Sequence, residues 1–116
     1  MKKKNVALIS VAAIVCVANM AWAVEGAVLW NNPKCGVNVI ATDGGFTFNQ
    51  QVSAGDLSAG DTLEGALNVP EKTSSFANLT TGKKLMMWVA RYSTSKKIIL
   101  ERIPQSCRTE ELANLK

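Results

Sequence analysis

Residues 37–49 read Val-Asn-Val-Ile-Ala-Thr, then Asp-Gly, then Gly-Phe-Thr-Phe-Asn. Alternating residues on both sides of Asp43-Gly44 are typical of a β-hairpin with a two-residue type I′ turn. Such a turn sets a register in which one face of the hairpin is apolar and the other is mixed. The expected cross-strand pairs are Ala41 with Phe46, Val39 with Phe48, Asn38 with Asn49 and Ile40 with Thr47. The stretch therefore predicts antiparallel β-structure.

The most apolar strand is predicted at residues 85–92. Its alternate positions form two faces, which carry Met86, Trp88, Ala90 and Tyr92 on one side and Leu85, Met87 and Val89 on the other. Apolar residues on both faces are typical of a central strand or of one that is covered on both sides. Trp88 is therefore expected in the core.

Two further strands are predicted from apolar runs that a proline ends. One covers residues 62–69 and stops at Pro70. The other covers residues 96–103, follows a turn at residues 93–95 and stops before Pro104. The last two predicted strands, 85–92 and 96–103, would then pair as a hairpin.

Residues 71–81 are ambiguous between a helix and a strand. Pro70 at a first-turn position, and Gly82 as a C-cap followed by two lysines, favour a short helix. The many Thr, Ser and Asn residues of the segment are poor helix formers and favour a strand that ends in a Thr-Gly turn. We predict the helix.

Two segments are expected to be less regular. Residues 53–61 contain Ala-Gly-Asp twice, and this density of small and turn-forming residues is typical of a loop. Residues 108–116 begin with Thr-Glu-Glu-Leu at 109–112, which indicates a capped helical turn or a frayed tail.

The first 23 residues have the pattern of a Sec signal peptide. Three lysines precede an uncharged, mostly apolar run over residues 6–18, and Met-Ala-Trp-Ala follows at residues 20–23. The apolar run is shorter than the roughly 20 residues that span a bilayer. We therefore expect cleavage after Ala23 and a single domain of residues 24–116, in the periplasm or outside the cell, without a transmembrane segment.

Cleavage would change the charge of the chain. Three of the 13 basic residues leave with the signal and all nine acidic residues stay, so the net charge falls from +4 to +1. The remaining charge is uneven, because residues 35–71 carry acids and no base whereas residues 72–102 are mainly basic.

Two cysteines remain after cleavage, Cys35 and Cys107. An oxidising compartment favours a disulfide between them. Closing a loop of this length contributes on the order of 4 kcal/mol in the chain-entropy model. Because no Cys-x-x-Cys motif is present, we interpret the pair as a structural clasp.

Five or so antiparallel strands, one short helix and a clasp between the domain ends resemble the small closed barrels of the OB-fold class. The fold class expected is mainly β, a small antiparallel closed or partly open barrel (OB-like) with one short helix and one disulfide. Residues 76–84, Phe-Ala-Asn-Leu-Thr-Thr-Gly-Lys-Lys, resemble exported OB-fold domains such as the B subunits of bacterial AB5 toxins. The resemblance implies glycan binding and possible homo-oligomers. No sugar-binding residue of that family matches a position here.

Several kinds of chemistry are excluded by composition. The chain has no histidine and no free cysteine is expected, so His-dependent and Cys-dependent catalysis and the usual zinc sites are ruled out. Asp56, Asp61 and Glu64 could converge for acid/base work, but in and beside a Gly-rich loop we interpret them as solvated charges. We predict no enzyme activity, no metal, no cofactor and no nucleic-acid partner.

A basic patch is the main predicted binding surface. In the predicted hairpin, basic side chains gather at the strand ends together with one tyrosine; they are Lys83, Lys84, Arg91, Tyr92, Lys96 and Lys97. Such a patch could hold a lipopolysaccharide phosphate, an anionic glycan or an acidic protein. The alternative is that the lysines only protect exposed strand edges.

Aromatic residues supply a second candidate surface. Trp30, Trp88 and Tyr92 could form a stacking platform for sugars or bases. Two functions are therefore predicted. The first is an exported binding module for a glycan or a partner protein. The alternative is a periplasmic inhibitor or immunity-type protein that blocks an enzyme with a loop such as residues 53–61.

Overall fold

The computed structural model describes residues 23–53 and 56–115, in which six strands close an antiparallel barrel. The expected mainly β, closed-barrel class is confirmed. The strands are β1 (Val24–Asn32), β2 (Val37–Thr42), β3 (Phe46–Gln51), β4 (Thr62–Gly65), β5 (Lys72–Asn78) and β6 (Lys83–Ser93). A helix α1 (Lys96–Glu101) and two 3-10 helices, Gln105–Cys107 and Glu110–Leu115, follow. The order around the barrel is β1-β2-β3-β6-β5-β4, and β4 pairs back onto β1.

The β2–β3 hairpin has the predicted register, with Ala41 opposite Phe46 and Val39 opposite Phe48. The predicted turn type is wrong, because a type I′ turn requires positive φ at both central residues and neither Asp43 nor Gly44 has one. The Thr42 hydroxyl stabilises the observed turn. It donates to the Gly45 carbonyl and accepts from the Gly45 N–H, both at 3.1 Å.

Both faces of this hairpin are covered over most of its length, and Gln50 near the end of β3 is exposed. The mixed face points into the barrel, where Asn49 donates to Asn38 at 3.0 Å and to Thr47 at 2.8 Å. The barrel core also contains Val28, Ile40, Leu57, Leu63, Leu67, Phe76, Leu85, Met87 and Val89. The apolar face points outward and is covered by residues 96–115, which we call the C-terminal layer.

The C-terminal layer forms a second core on the outside of β1–β3. This core contains Trp30, Val37, Val39, Ile99, Leu100, Ile103, Cys107 and Leu112, with Phe46 and Phe48 packed against it. The predicted disulfide is confirmed, because Cys35 at the β1–β2 turn is bonded to Cys107 in the layer. Asn32 donates to the Cys107 carbonyl at 2.7 Å and holds the same junction.

The predicted helix at residues 71–81 is wrong, since residues 72–78 form strand β5 between β4 and β6. Phe76 and Asn78 are buried while Ser75 and Thr73 are exposed, which is the two-residue period of a strand. The weak helix propensity of Thr, Ser and Asn therefore prevailed over the capping signals. Gly82, with φ at 79°, is part of the turn into β6.

The predicted strand at residues 96–103 is also wrong, because it contains helix α1 and does not pair with β6. The Ser95 hydroxyl caps this helix by accepting from the N–H of Ile98 at 3.4 Å. Ile99, Leu100 and Ile103 are buried, and their spacing is that of one helix face.

Other boundaries differ in smaller ways. Strand β1 was not anticipated, β4 is shorter than the predicted strand at residues 62–69, and the tail forms a 3-10 helix. The barrel has six strands, one more than an OB-fold barrel. Residues 1–22 of the predicted signal lie outside the described residues. Within the described part of the chain, no helix has the length and apolar character needed to cross a bilayer.

Candidate functional site

The residues of the predicted basic patch lie in three places. Lys83 and Lys84 begin β6, whereas Arg91 and Tyr92 are near its other end. At about 3.3 Å per residue, Lys84 and Arg91 are roughly 23 Å apart. Lys96 and Lys97 belong to the first turn of α1. The structure therefore divides the patch that the predicted hairpin would have assembled.

Lys96 and Lys97 line a cleft of about 410 Å³ beside helix α1. The other lining residues are Leu100, Glu101 and Arg108, and we call this site the α1 cleft. Arg108 is held in place by backbone carbonyls, because its Nη2 donates to Leu100 at 3.0 Å and its Nε to Ile103 at 3.2 Å. Arg108 thereby joins the end of α1 to the residues that follow it, because Leu100 is in the last turn of the helix and Ile103 lies just after it.

Tyr92 lies at one end of the barrel, beside the β2–β3 turn. Its hydroxyl is so close to the β2–β3 turn that a Cβ on Gly44 would lie 2.8 Å from it. Tyr92 also lines a cavity of about 400 Å³ with Val24, Asp43 and Asn68. Its aromatic ring is thus part of the barrel end and is separate from the other two aromatic residues of the predicted platform.

Trp88 is 36% exposed on the outer face of β6, and its predicted place in the core is wrong. Leu85, Met87 and Val89 fill the barrel, so the alternate residues Met86 and Trp88 face outward. Two rows of side chains cross this face from β3 to β5. Gln50, Trp88 and Thr73 form one row, and Val52, Met86 and Ser75 form the other. We call these six residues the Trp88 face.

Trp30 is 3% exposed and belongs to the second core. Its indole N–H donates to the Thr109 hydroxyl at 2.7 Å. A hydrogen bond from Thr109 to the exposed carboxyl of Glu111, together with one from the backbone, lowers the pKa of Glu111. Trp30 therefore packs against the C-terminal layer and is not available to a ligand. The predicted platform of Trp30, Trp88 and Tyr92 does not form.

The three acidic residues considered for acid/base work have separate surroundings. Asp61 is buried, and its Oδ2 accepts from the Ser58 N–H at 3.0 Å and from Asn78 Nδ2 at 2.9 Å. Asp56 is exposed in the loop, and Glu64 is half-buried on β4. Across the described residues, no group of three or more His, Cys, Asp or Glu side chains is placed to hold a metal ion.

Two surfaces thus have the chemistry of a binding site, the Trp88 face and the α1 cleft. Gln50 and Thr73 were not identified from the sequence as candidate binding residues. They lie beside Trp88 only because β3 and β5 pair with β6 in this register. Arg108 was missed because its approach to Lys96 and Lys97 requires α1 to be helical. One feature of the sequence indicated that Trp88 is exposed. On the adjacent strand, the polar residues Thr73 and Ser75 alternate with Ser74 and Phe76, so the strand has a polar face next to Trp88.

Comparison with known proteins found no match among the models of protein families, the curated proteins or the solved structures. The functional argument therefore depends on the two surfaces themselves.

Proposed function

We propose that residues 24–116 form an exported, non-catalytic binding module, and that its ligand is a glycan held on the Trp88 face. The observation that carries this proposal is the large indole ring of Trp88, which is 36% exposed on a barrel wall whose other side is fully packed. An exposed tryptophan at this position contributes little to the core. Together with Val52 and Met86, which are also exposed, Trp88 forms an apolar patch of the kind that marks ligand-binding surfaces.

The neighbours of Trp88 suit a neutral, hydroxylated ligand. Gln50 and Thr73 are directly opposite Trp88 on the two adjacent strands, so their Cβ atoms lie about 5 Å to either side. The polarised C–H bonds of a sugar ring pack against the electron-rich face of an indole. The Gln50 amide and the Thr73 hydroxyl can then bond to the hydroxyl groups of the sugar. None of the six residues of the Trp88 face is charged.

The size of the face favours a glycan over a partner protein. Three strands and two rows cover roughly 10 Å by 7 Å between the outermost Cα positions. An ordinary protein interface buries about 800 Å² on each partner and would extend well beyond these rows. The Trp88 face therefore has the dimensions of a small-ligand subsite.

Tryptophan fluorescence offers a direct test, because residues 24–116 contain only Trp30 and Trp88 and the first of these is buried. Acrylamide should quench mainly Trp88. We expect one or more neutral oligosaccharides from a panel of glucose, mannose and N-acetylglucosamine oligomers to protect Trp88 from quenching. Isothermal titration of the Trp88→Ala variant should show binding weakened by at least about tenfold, as for an aromatic hot spot.

Two variants make this test specific. Trp88→Phe keeps an aromatic ring and should retain part of the affinity, while Ile98→Ala removes another exposed apolar side chain, on α1, and should bind normally. Saccharide binding that survives in Trp88→Ala would contradict the proposed site. If no saccharide binds and a purified protein ligand instead loses affinity in Trp88→Ala, the ligand class is protein and the glycan proposal is wrong.

Export is the second part of the proposal. The Cys35–Cys107 disulfide fits an oxidising compartment such as the periplasm or the cell exterior. Strand β1 begins at Val24, directly after the proposed cleavage site, so removal of the signal would leave the barrel complete. N-terminal sequencing of the protein recovered from its producing cells should begin at Val24. A sequence that begins at Met1 would contradict export by signal cleavage.

A further inference from the structure

The α1 cleft combines an apolar floor with a basic rim. The surface inside the cleft is mainly apolar because it is formed by Leu100, which is 5% exposed, and by the aliphatic parts of the charged side chains. Its volume of about 410 Å³ is within the usual range of small-molecule pockets, roughly 300–1,000 Å³. Four of its five lining residues are charged; three are cationic and one is anionic, which gives the lining a net charge of +2.

The cations of the cleft are available to a ligand. In the part of the chain that the structure describes, Lys96, Lys97 and Arg108 form no ion pair with a carboxylate, and this includes Glu101, which lies one helical turn after Lys97 on α1. Arg108 uses Nε and Nη2 to bind backbone carbonyls. An arginine has five N–H donors, so donors remain on its guanidinium.

The two lysines do not stabilise the helix that carries them. The first turn of α1 contains Lys96 and Lys97 and no acidic residue. Positive charge at a helix N-terminus opposes the helix dipole, which favours negative charge there. The lysines therefore cost α1 a little stability.

We propose that the α1 cleft binds an amphiphile with an anionic head group. The apolar body of the ligand packs against Leu100, and its carboxylate or phosphate accepts hydrogen bonds from Lys96, Lys97 and Arg108. Charge-assisted hydrogen bonds of this kind are about twice as strong as neutral ones. This site is distinct from the Trp88 face and goes beyond the proposed glycan binding, since the two surfaces share no residue.

Three probes separate the parts of this chemistry. Decanoate has both the anionic head and the apolar chain, acetate has only the head, and decanol has only the chain. Isothermal titration of the full protein with each probe should show saturable binding of decanoate to one site, with much weaker binding of acetate and decanol. Added salt should weaken the decanoate complex because it screens exposed charges over a Debye length of about 8 Å at 0.15 M.

Paired charge reversals test the location. Lys96→Glu/Lys97→Glu should weaken decanoate binding by about tenfold or more and flatten its salt dependence. Lys83→Glu/Lys84→Glu makes the same change in net charge at the far end of β6 and should change the affinity by no more than about twofold. Trp88→Ala should bind decanoate normally, which separates this proposal from the glycan site. Equal unfolding midpoints establish that all variants are folded.

Vesicles distinguish a free amphiphile from a membrane lipid. Binding to phosphatidylglycerol vesicles but not phosphatidylcholine vesicles, lost only in Lys96→Glu/Lys97→Glu, would identify a lipid head group as the source; binding of decanoate alone would identify a free amphiphile. The proposal is overturned if neither probe binds, if decanol binds as well as decanoate, or if both double variants weaken binding equally.

Discussion

At Gly65 the backbone of β4 passes so close to Phe76 that a side-chain carbon would collide with the phenyl ring. Phe76 is 1% exposed in the barrel core and cannot move outward. We expect Gly65→Ala to lower the free energy of unfolding by about 1–3 kcal/mol, the usual cost of overpacking a core. Chemical denaturation of both proteins would measure the difference.

A change at Phe76 tests whether this ring is what a side chain at position 65 would strike. Phe76→Leu shortens the side chain that Gly65→Ala would strike, so the double variant should lose less stability than the sum of the two single variants. Ser75→Ala, on the exposed side of the same strand, should remain within about 0.5 kcal/mol of the parent. Strictly additive losses would show that Phe76 is not the residue that limits position 65.

The fate of single aromatic residues shows what the sequence could predict and what it could not. Residues 85–92 correctly predicted two apolar faces, and Leu85, Met87 and Val89 do fill the barrel. The same pattern placed Trp88 in the core, because period-two alternation cannot say whether a second layer covers the outer face. That layer covers β1–β3 and leaves Met86 and Trp88 exposed.

Two predictions of secondary structure were wrong. The predicted helix at residues 71–81 contains a strand, and the predicted strand at residues 96–103 contains a helix. Residues 72–78 are mainly weak helix formers, and they pair with β4 on one side and with β6 on the other. Cross-strand pairing therefore decided their conformation. Residues 96–101 have β-branched residues but a Ser95 cap and a buried face with helical spacing. Short apolar runs do not distinguish helix from strand by periodicity alone.

The predicted basic patch was wrong in its composition because it depended on the predicted strand at residues 96–103. A strand at residues 96–103 would have placed Lys96 and Lys97 beside Arg91, whereas helix α1 places them beside Arg108. The two lysines remain candidates for a binding surface, but the residues around them depend on an element that the sequence did not determine. The β2–β3 hairpin was predictable because its turn residues and its pairing partners are adjacent in the chain.

The disulfide joins the β1–β2 turn to the C-terminal layer, and its cysteines are 72 positions apart in the sequence. In the chain-entropy model such a loop contributes about 4 kcal/mol by restricting the unfolded chain. We expect the Cys35→Ser variant to lose roughly 2–5 kcal/mol of unfolding free energy. Hydrogen exchange should accelerate first in the C-terminal layer, because the remaining side-chain hydrogen bonds to it, such as that from Trp30 to Thr109, are few.

Reduction of the native protein provides the matched control. The parent protein with a reducing agent should have the same stability as Cys35→Ser, because both lack the same covalent link. The parent without the reducing agent should have an intact mass two hydrogens below the dithiol form. A loss smaller than about 1 kcal/mol in the variant would mean that the noncovalent contacts of the C-terminal layer suffice to hold it.

The C-terminal layer has one more consequence, which concerns the order in which the chain is made. A polypeptide is synthesised from its N-terminus, so β1–β3 and their apolar outer face exist before the residues that cover them. Until residues 96–115 have been made, Val39, Phe46 and Phe48 form an exposed apolar surface of the kind that drives aggregation. Residues 96–115 therefore shield the apolar outer face of β1–β3, and we expect a chain that stops before residue 96 to expose this face and to aggregate.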